Sequence, residues 1–356
     1  MKQDKNMPAG AKMSRTIDWD DSDSSILMVD QTLLPGEYKI IKCKTIADVC
    51  EAILNLRIRG APALGVCGAF AVALSATLSS AKTVEGLLKD MTVAGETIKK
   101  TRPTAINLSW GVDRVLSIAE EEGYDPKLVR DIALHEAKKM ADEDVELNKK
   151  IGKHGAKLLK DGDVVLTHCN AGKMACVDWG TALGVIRSAV SDGKKITVVA
   201  CETRPLNQGS RITCWELLED KIPVHLITDS AAGFFMANGS VTKVIVGADR
   251  ITQGAVFNKI GTYSLSVLAK EHDIPFYVAA PVSTFDPAGF DEAVPIEMRP
   301  EDEIRYIGKA KELNAPVGVS IKNPAFDMTP MENVSALITE KGVFCPPILI
   351  DEIIID

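Results

Sequence analysis

Apolar and polar positions follow two different rhythms along this chain. Residues 16–43 carry short apolar runs, "TIDW", "ILMVD" and "LLPGEYKIIKC", punctuated by Pro35-Gly36, and predict short strands around turns. From Thr45 to about Lys150 the apolar spacing becomes three and four residues, which predicts helices. Thr45 can cap the first, "TIADVCEAILNLRI". The run "APALGVCGAFAVALSATL" is apolar nearly all round and predicts a buried helix beginning at Pro62. A loop is expected over 101–109, "TRPTAINLS". The charged "HEAKKMADEDVELNKKIGKHGAKLL" predicts a helix with a solvated face.

The second half changes rhythm. Apolar runs predict strands at 163–168, 195–201, 223–228, 243–248 and 275–280. Between them lie helical segments such as "GTALGVIRSAVSDG" and "GTYSLSVLAKEHD". Strand and helix in alternation imply βαβ units and a parallel sheet covered on both faces. The expected fold class is therefore α/β: a Rossmann-like, doubly wound parallel sheet over 151–356. A mainly helical domain with a small β element precedes it over 15–150, and residues 1–14 read as a frayed polar extension.

Composition narrows the function classes. The chain has 356 residues, is 46% hydrophobic and 25% charged, and carries a formal charge of −8, with no long Lys/Arg block. That argues against a nucleic-acid-binding surface. No apolar run is read as reaching the length needed to cross a bilayer, so no membrane partner is expected. The eight cysteines include no C-x-x-C pair, and residues 1–14 lack an apolar signal core. Free thiols, no metal site and a cytoplasmic home are the expectations.

In doubly wound sheets the ligand crevice lies at the carboxyl ends of the strands. Those ends read His168-Cys169-Asn170, Glu202-Thr203-Arg204, Thr228-Asp229, Asp249-Arg250 and Pro281-Val282-Ser283-Thr284. A thiol, carboxylates, arginines and hydroxyls converge on one edge, as in an active-site crevice. A G-x-G-x-x-G fingerprint, a Walker loop and a G-x-S-x-G elbow are all missing, so nicotinamide, P-loop and serine-hydrolase chemistry lack support. Phosphate recognition has better candidates. "RIRGAPALG" places Arg57, Arg59 and Gly60 before the Pro62 helix, Arg102 lies in the polar loop, and "NKIGT" places Asn258 and Lys259 at another helix start. His168 reads as a structural core group. Trp110, Trp179 and Trp215 read as packing residues, any of which could line an apolar pocket.

The segments "RIRGAPALG", "TRPTAINLSW", "THCNAG", "ETRP" with "QGSRIT" and "WEL", "VGADRI", "FNKIGTY", "PFYVAAP", "NPAFDMTP" and "ITEKG" occur in that order. Together they resemble the methylthioribose-1-phosphate isomerase family over about residues 15–347. Its superfamily also holds ribose-1,5-bisphosphate isomerase and regulatory subunits of the translation-initiation nucleotide exchange factor. The resemblance implies isomerisation of an aldose 1-phosphate to a ketose phosphate in methionine salvage, without metal or organic cofactor, by a homodimer. It implies Cys169 and Asp249 as the catalytic pair, Asp249 donating the proton, with Arg59, Gly60, Ala61, Arg102, Gln208, Asn258 and Lys259 binding a sugar phosphate. Two departures stand out: Lys173, Met174 and Cys176 replace residues that are often small, and Gly254 sits in a shortened turn that often carries an acid. A related pentose phosphate, or a non-catalytic regulatory subunit, are the alternative expectations.

An aspartate of ordinary pKa, about 3.9, is ionised at neutral pH and cannot donate a proton. Asp249 follows the apolar "VIVGA", so burial is expected to raise its pKa, with Arg250 pointing away by strand alternation. At Cys169, a helix expected after "NAGKM" would favour thiolate and a substrate phosphate would favour thiol.

Overall fold

A computed structural model describes residues 12–103, 105–287, 289, 294–308 and 311–355. Most of the expected extension, residues 1–11, lies outside them. Met13 lies against the body, its N–H donating to the Tyr38 hydroxyl at 3.1 Å.

Strands β1 (Ile17–Asp20), β2 (Ser25–Val29) and β3 (Ile40–Cys43) form a small antiparallel sheet. Only the end of "LLPGEYKIIKC" is strand. Five helices follow: α1 (Ile46–Leu54), α2 (Ala61–Leu78), α3 (Val84–Lys99), α4 (Ile106–Glu122) and α5 (Pro126–Ala156). Thr45 begins α1 with a capping box, its hydroxyl accepting the Asp48 N–H at 3.1 Å while the Asp48 carboxylate accepts the Thr45 N–H at 2.9 Å. Helix α4 starts inside the stretch expected to be loop, because "INLSW" already carries the apolar side chain Leu108 into the core.

Helix α2 corrects one expectation. By length and composition this largely apolar helix of 18 residues could cross a membrane. Here the helix is the axis of the helical layer, 78% buried among its neighbours. Small residues let α4 press against it: a Cβ on Gly111 would lie 2.0 Å from the carbonyl oxygen of Gly65. Helix α5 runs unbroken past residue 150. Val129 to Val145 belong to the helical core, while Ile151 and Ala156 belong to the core beneath the large sheet.

The remaining elements in chain order are β4 (Val164–Thr167), α6 (Ala182–Ser191), β5 (Thr197–Cys201), α7 (Cys214–Glu219), β6 (Val224–Ile227), α8 (Ala232–Ala237) and β7 (Lys243–Val246). They continue with β8 (Arg250–Ile251), β9 (Ala255–Lys259), α9 (Thr262–Glu271), β10 (Phe276–Ala279), α10 (Asp302–Arg305), β11 (Tyr306–Ile307) and β12 (Glu312–Leu313). The last are β13 (Phe326–Pro330), β14 (Ala336–Ile338), β15 (Val343–Phe344) and α11 (Ile350–Ile355). Each of the five apolar runs is a parallel strand, and β14 is a sixth. The large sheet has the order β15-β14-β10-β7-β4-β5-β6, with β15 antiparallel at one edge. Along the chain its six parallel strands take the Rossmann order 3-2-1-4-5-6. Alternate side chains enter opposite cores: Leu166, Val199, Val244 and Val278 on one face, Val165, Val198, Ile245 and Tyr277 on the other. The doubly wound α/β fold is therefore the one found. A separate antiparallel sheet, β13-β9-β8, was not anticipated.

Replacing Gly111 by Ala is expected to destabilise the protein by about 1–3 kcal/mol, since the backbone of α2 is the obstacle. An unchanged denaturant midpoint would show that the two helices can part freely.

Candidate active site

The crevice forms where strand order reverses, between β4 and β7. Two residues past β4, Cys169 adopts a left-handed backbone, φ +60°. Such a conformation costs a non-glycine residue about 1–3 kcal/mol and persists only where its surroundings impose it. Two hydroxyls do so here. Thr203 Oγ1 accepts the Cys169 N–H at 2.8 Å, and Thr213 Oγ1 donates to the Cys169 carbonyl at 2.7 Å. Asp249 leaves β7 through Gly247, where a Cβ would meet Ala171 Cβ at 2.7 Å. The glycine lets the two strand ends approach. Asp249 is then fixed by its own N–H, which donates to the Phe257 carbonyl at 2.9 Å.

Arg59, Gly60, Ala61, Cys169, Asp249 and Asn258 all line one cleft of about 450 Å³. A neighbouring cavity of about 600 Å³ shares Gly60, Ala61 and Asp249, and Arg102 lines it. Its other walls include Leu64, Ile106, Phe257, Ile296 and Phe326. Gly60 stands at φ +95° before α2, and a Cβ there would lie 2.4 Å from the Ala175 backbone. No tryptophan lines either cavity.

Two expected residues lie outside both cavities. Gln208 is buried, its Oε1 without a hydrogen-bond partner among the described residues. Lys259 donates to the Ala325 carbonyl at 2.8 Å and sits 4.5 Å from the centre of the Phe326 ring. Asn258 and Lys259 end strand β9 and do not start a helix; α9 begins at Thr262, after Gly261. Pairing with β13 extends the chain through these residues before it can turn. Arg102 meets Glu297 at 3.5 Å, and Arg57 is occupied by Asp30 and Glu51.

Burial raises the pKa of Asp249 above the ordinary carboxylate range, against the opposing charges of Lys259, Arg102 and Arg59. Arg250 turns to Asp286, 3.5 Å away. His168 is structural in its contacts. Its Nε2 lies 2.8 Å from the Ile260 carbonyl, an acceptor, so Nε2 carries the hydrogen, and burial lowers the ring's pKa. His168, Cys201 and Asp229 bring metal-ligand atom types within 4.8 Å of one another. The Asp229 oxygens already accept the N–H groups of Thr203 and Arg204, each at 2.7 Å.

After "NAG" the chain makes only a three-residue 3₁₀ turn, Lys173–Ala175, where an α-helix was expected. Met174 packs with Val29, Leu34 and Ile212, and buried Cys176 forms part of the crevice wall. Sequence reasoning missed Thr203, Thr213 and Glu216 as supports of the site. They stand within the quoted segments "ETRP", "QGSRIT" and "WEL", but one-dimensional spacing does not reveal what they touch.

The pattern that defines the Initiation factor 2 subunit family matches residues 57–346. The chain belongs to this family. It is 62% identical over 343 residues, 96% of this chain and 98% of the relative, to a Methanosarcina acetivorans protein provisionally named methylthioribose-1-phosphate isomerase. Among solved structures, 5-methylthioribose 1-phosphate isomerase from Pyrococcus horikoshii superposes with a TM-score of 0.87 at 43% identity, covering 94% of each chain. A structure from A. fulgidus described as translation initiation factor eIF-2B, subunit delta, superposes at 0.84 with 54% identity, covering 94% of this chain and 97% of its own. The isomerase resemblance thus extends through the whole fold, within a family whose members carry two kinds of name.

Asp327, on β13, holds the start of α9 by accepting the N–H groups of Gly261 at 2.6 Å and Tyr263 at 3.1 Å. Burial raises its pKa from 3.8 to about 6. Between those values the folded protein holds a proton that the unfolded chain has lost, so this group makes stability fall as pH rises through that window. Asp327→Asn is expected to flatten that decline in denaturation curves taken across the window; identical slopes in variant and wild type would refute the linkage.

Proposed function

We propose that this chain converts 5-methylthio-D-ribose 1-phosphate to 5-methylthio-D-ribulose 1-phosphate, serving methionine salvage. The observation that carries the reading is the convergence of Cys169 and Asp249 on one cleft with Arg59 and Asn258. Phosphate on the anomeric oxygen prevents simple ring opening, so an acid must protonate the ring oxygen as its bond to C1 breaks. Hydrogen then moves from C2 to C1, and the C2 hydroxyl loses its proton to become the ketone. One proton enters at the ring oxygen and one leaves at C2 oxygen. The step is redox-neutral overall and calls for no external oxidant.

Asp249 is the donor to the ring oxygen, because burial keeps its proton to higher pH than an ordinary aspartate. Cys169 assists proton movement on the opposite strand end. Arg59 and Asn258 supply the polar and cationic environment for the phosphate from within the cleft, Lys259 and Arg102 add positive charge from beyond its lining, and Gly60 and Ala61 let the sugar approach the start of α2. The adjoining walls of Leu64, Ile106, Phe257 and Phe326 suit an apolar methylthio group better than a second phosphate. All eight cysteines are free thiols, in keeping with a reducing cytoplasmic setting. A homodimer is part of the same reading, with light scattering as its check.

Incubation with 5-methylthioribose 1-phosphate, without added cofactor, is expected to give the ketose phosphate by NMR. Ribose 1,5-bisphosphate and 5-deoxyribose 1-phosphate, run in parallel, are expected to turn over more slowly. No conversion of any of them would leave the regulatory-subunit reading standing. Cys169→Ser and Asp249→Asn should each lower kcat by about a hundredfold or more while sparing phosphate binding. The wild-type rate should fall as rising pH strips the proton from Asp249. Near-normal turnover in either variant would remove that residue from the mechanism.

A further inference from the structure

A buried ion pair lies directly behind the turn that carries the thiol. Glu216 is fully buried, and its Oε2 accepts from Arg187 Nη2 at 2.7 Å; Arg187 is itself only 7% exposed. Burial alone would raise the Glu216 pKa, but Arg187 and the surrounding hydrogen bonds lower it overall, so the side chain is a carboxylate. The same carboxylate accepts the N–H of Lys173 at 2.9 Å and of Met174 at 3.1 Å. A Cβ on Gly172 would fall 2.3 Å from Glu216 Oε2, so the glycine allows the turn to fold onto the charge.

Glu216 also decides which way Asn170 faces. Asn170 Nδ2 donates to Glu216 Oε1 at 2.9 Å and to Thr213 Oγ1 at 3.2 Å. Its Oδ1 accepts from Arg59 Nη2, which also donates to the Asn170 carbonyl at 2.9 Å. A flipped amide would set oxygen against carboxylate and NH₂ against guanidinium, two repulsive contacts in place of two bonds. The orientation is therefore imposed by charge at both ends. Arg59, so held, places Nη1 4.0 Å from Cys169 Sγ.

We propose that Glu216, paired with Arg187, is a positioning residue of the active site: it orients the Asn170 amide, and through it sets Arg59 where the substrate's phosphate binds. Buried ion pairs are poor stabilisers compared with apolar packing, so stability alone accounts poorly for this one. The inference rests on the reading of the cleft as a sugar-phosphate site, but its test does not require turnover.

Inorganic phosphate is titrated calorimetrically into the full-length wild type, Glu216→Gln, Asn170→Ala and the double variant, and KM and kcat are measured alongside. Each single variant is expected to weaken phosphate binding and raise KM at least tenfold, with a smaller fall in kcat. The double variant should be little worse than the worse single one, because both break the same chain of contacts. A merely structural Glu216 would lower the melting temperature and the active fraction while leaving KM and the phosphate Kd unchanged, and that result overturns the proposal. Independent, additive losses overturn it too, as does a wild type that binds no phosphate. Should Glu216→Gln fail to fold, Asn170→Ala decides alone: an unaltered phosphate Kd refutes the relay. A wild type that binds phosphate but isomerises nothing refutes the reaction assignment instead, leaving the relay to stand or fall on the binding data.

Discussion

The constraint on which the site depends is the parting of the chain beyond β4 and β7. These strands are neighbours in the sheet, yet the connections that follow them run in opposite directions, toward β5 and toward β10. Neither can cover the gap at their carboxyl ends. Cys169 and Asp249 stand on the two sides of that gap, eighty residues apart in the chain, and the start of α2 supplies the third wall. Every other feature of the site holds this opening in shape or sets its potential.

Holding it in shape falls to buried hydroxyls and one charge pair. Thr203 and Thr213 support the left-handed backbone at Cys169 from the segments after β5 and just before α7. Glu216 supports the next turn from α7. These bonds are short-range and enclosed, so a small displacement of any of them must be shared by its neighbours. A thiol in a packed, over-determined turn is well placed for chemistry that tolerates little error in distance.

The potential of the crevice is a balance of opposites. Enclosure favours the neutral acid at Asp249, while Lys259, Arg102 and Arg59 favour its anion, and enclosure prevails. The same cations suit a phosphate dianion. On the proposed reading, one set of side chains thereby attracts the substrate and tempers the acid that acts on it. Arriving phosphate would neutralise those cations and raise the pKa of Asp249 further, so binding itself would favour the proton-loaded state.

The sequence by itself determined the parallel sheet, because strands buried on both faces must be apolar throughout and leave unbroken runs such as "VVLT" and "KVIV". It also marked Cys169 and Asp249, polar residues at the ends of such runs, and the family resemblance singled them out. Weaker periodicity misled it: "FNK" belongs to a strand whose partner lies about seventy residues onward, and "INLS" belongs to a helix. Tertiary structure alone decided the small β13-β9-β8 sheet, the cavity beside the cleft and the contacts of Thr203, Thr213 and Glu216. Local patterns encode which residues must be buried and at what spacing. Which hydroxyl meets which carbonyl, and whether a carboxylate keeps its proton, depends on atoms brought together from distant parts of the chain.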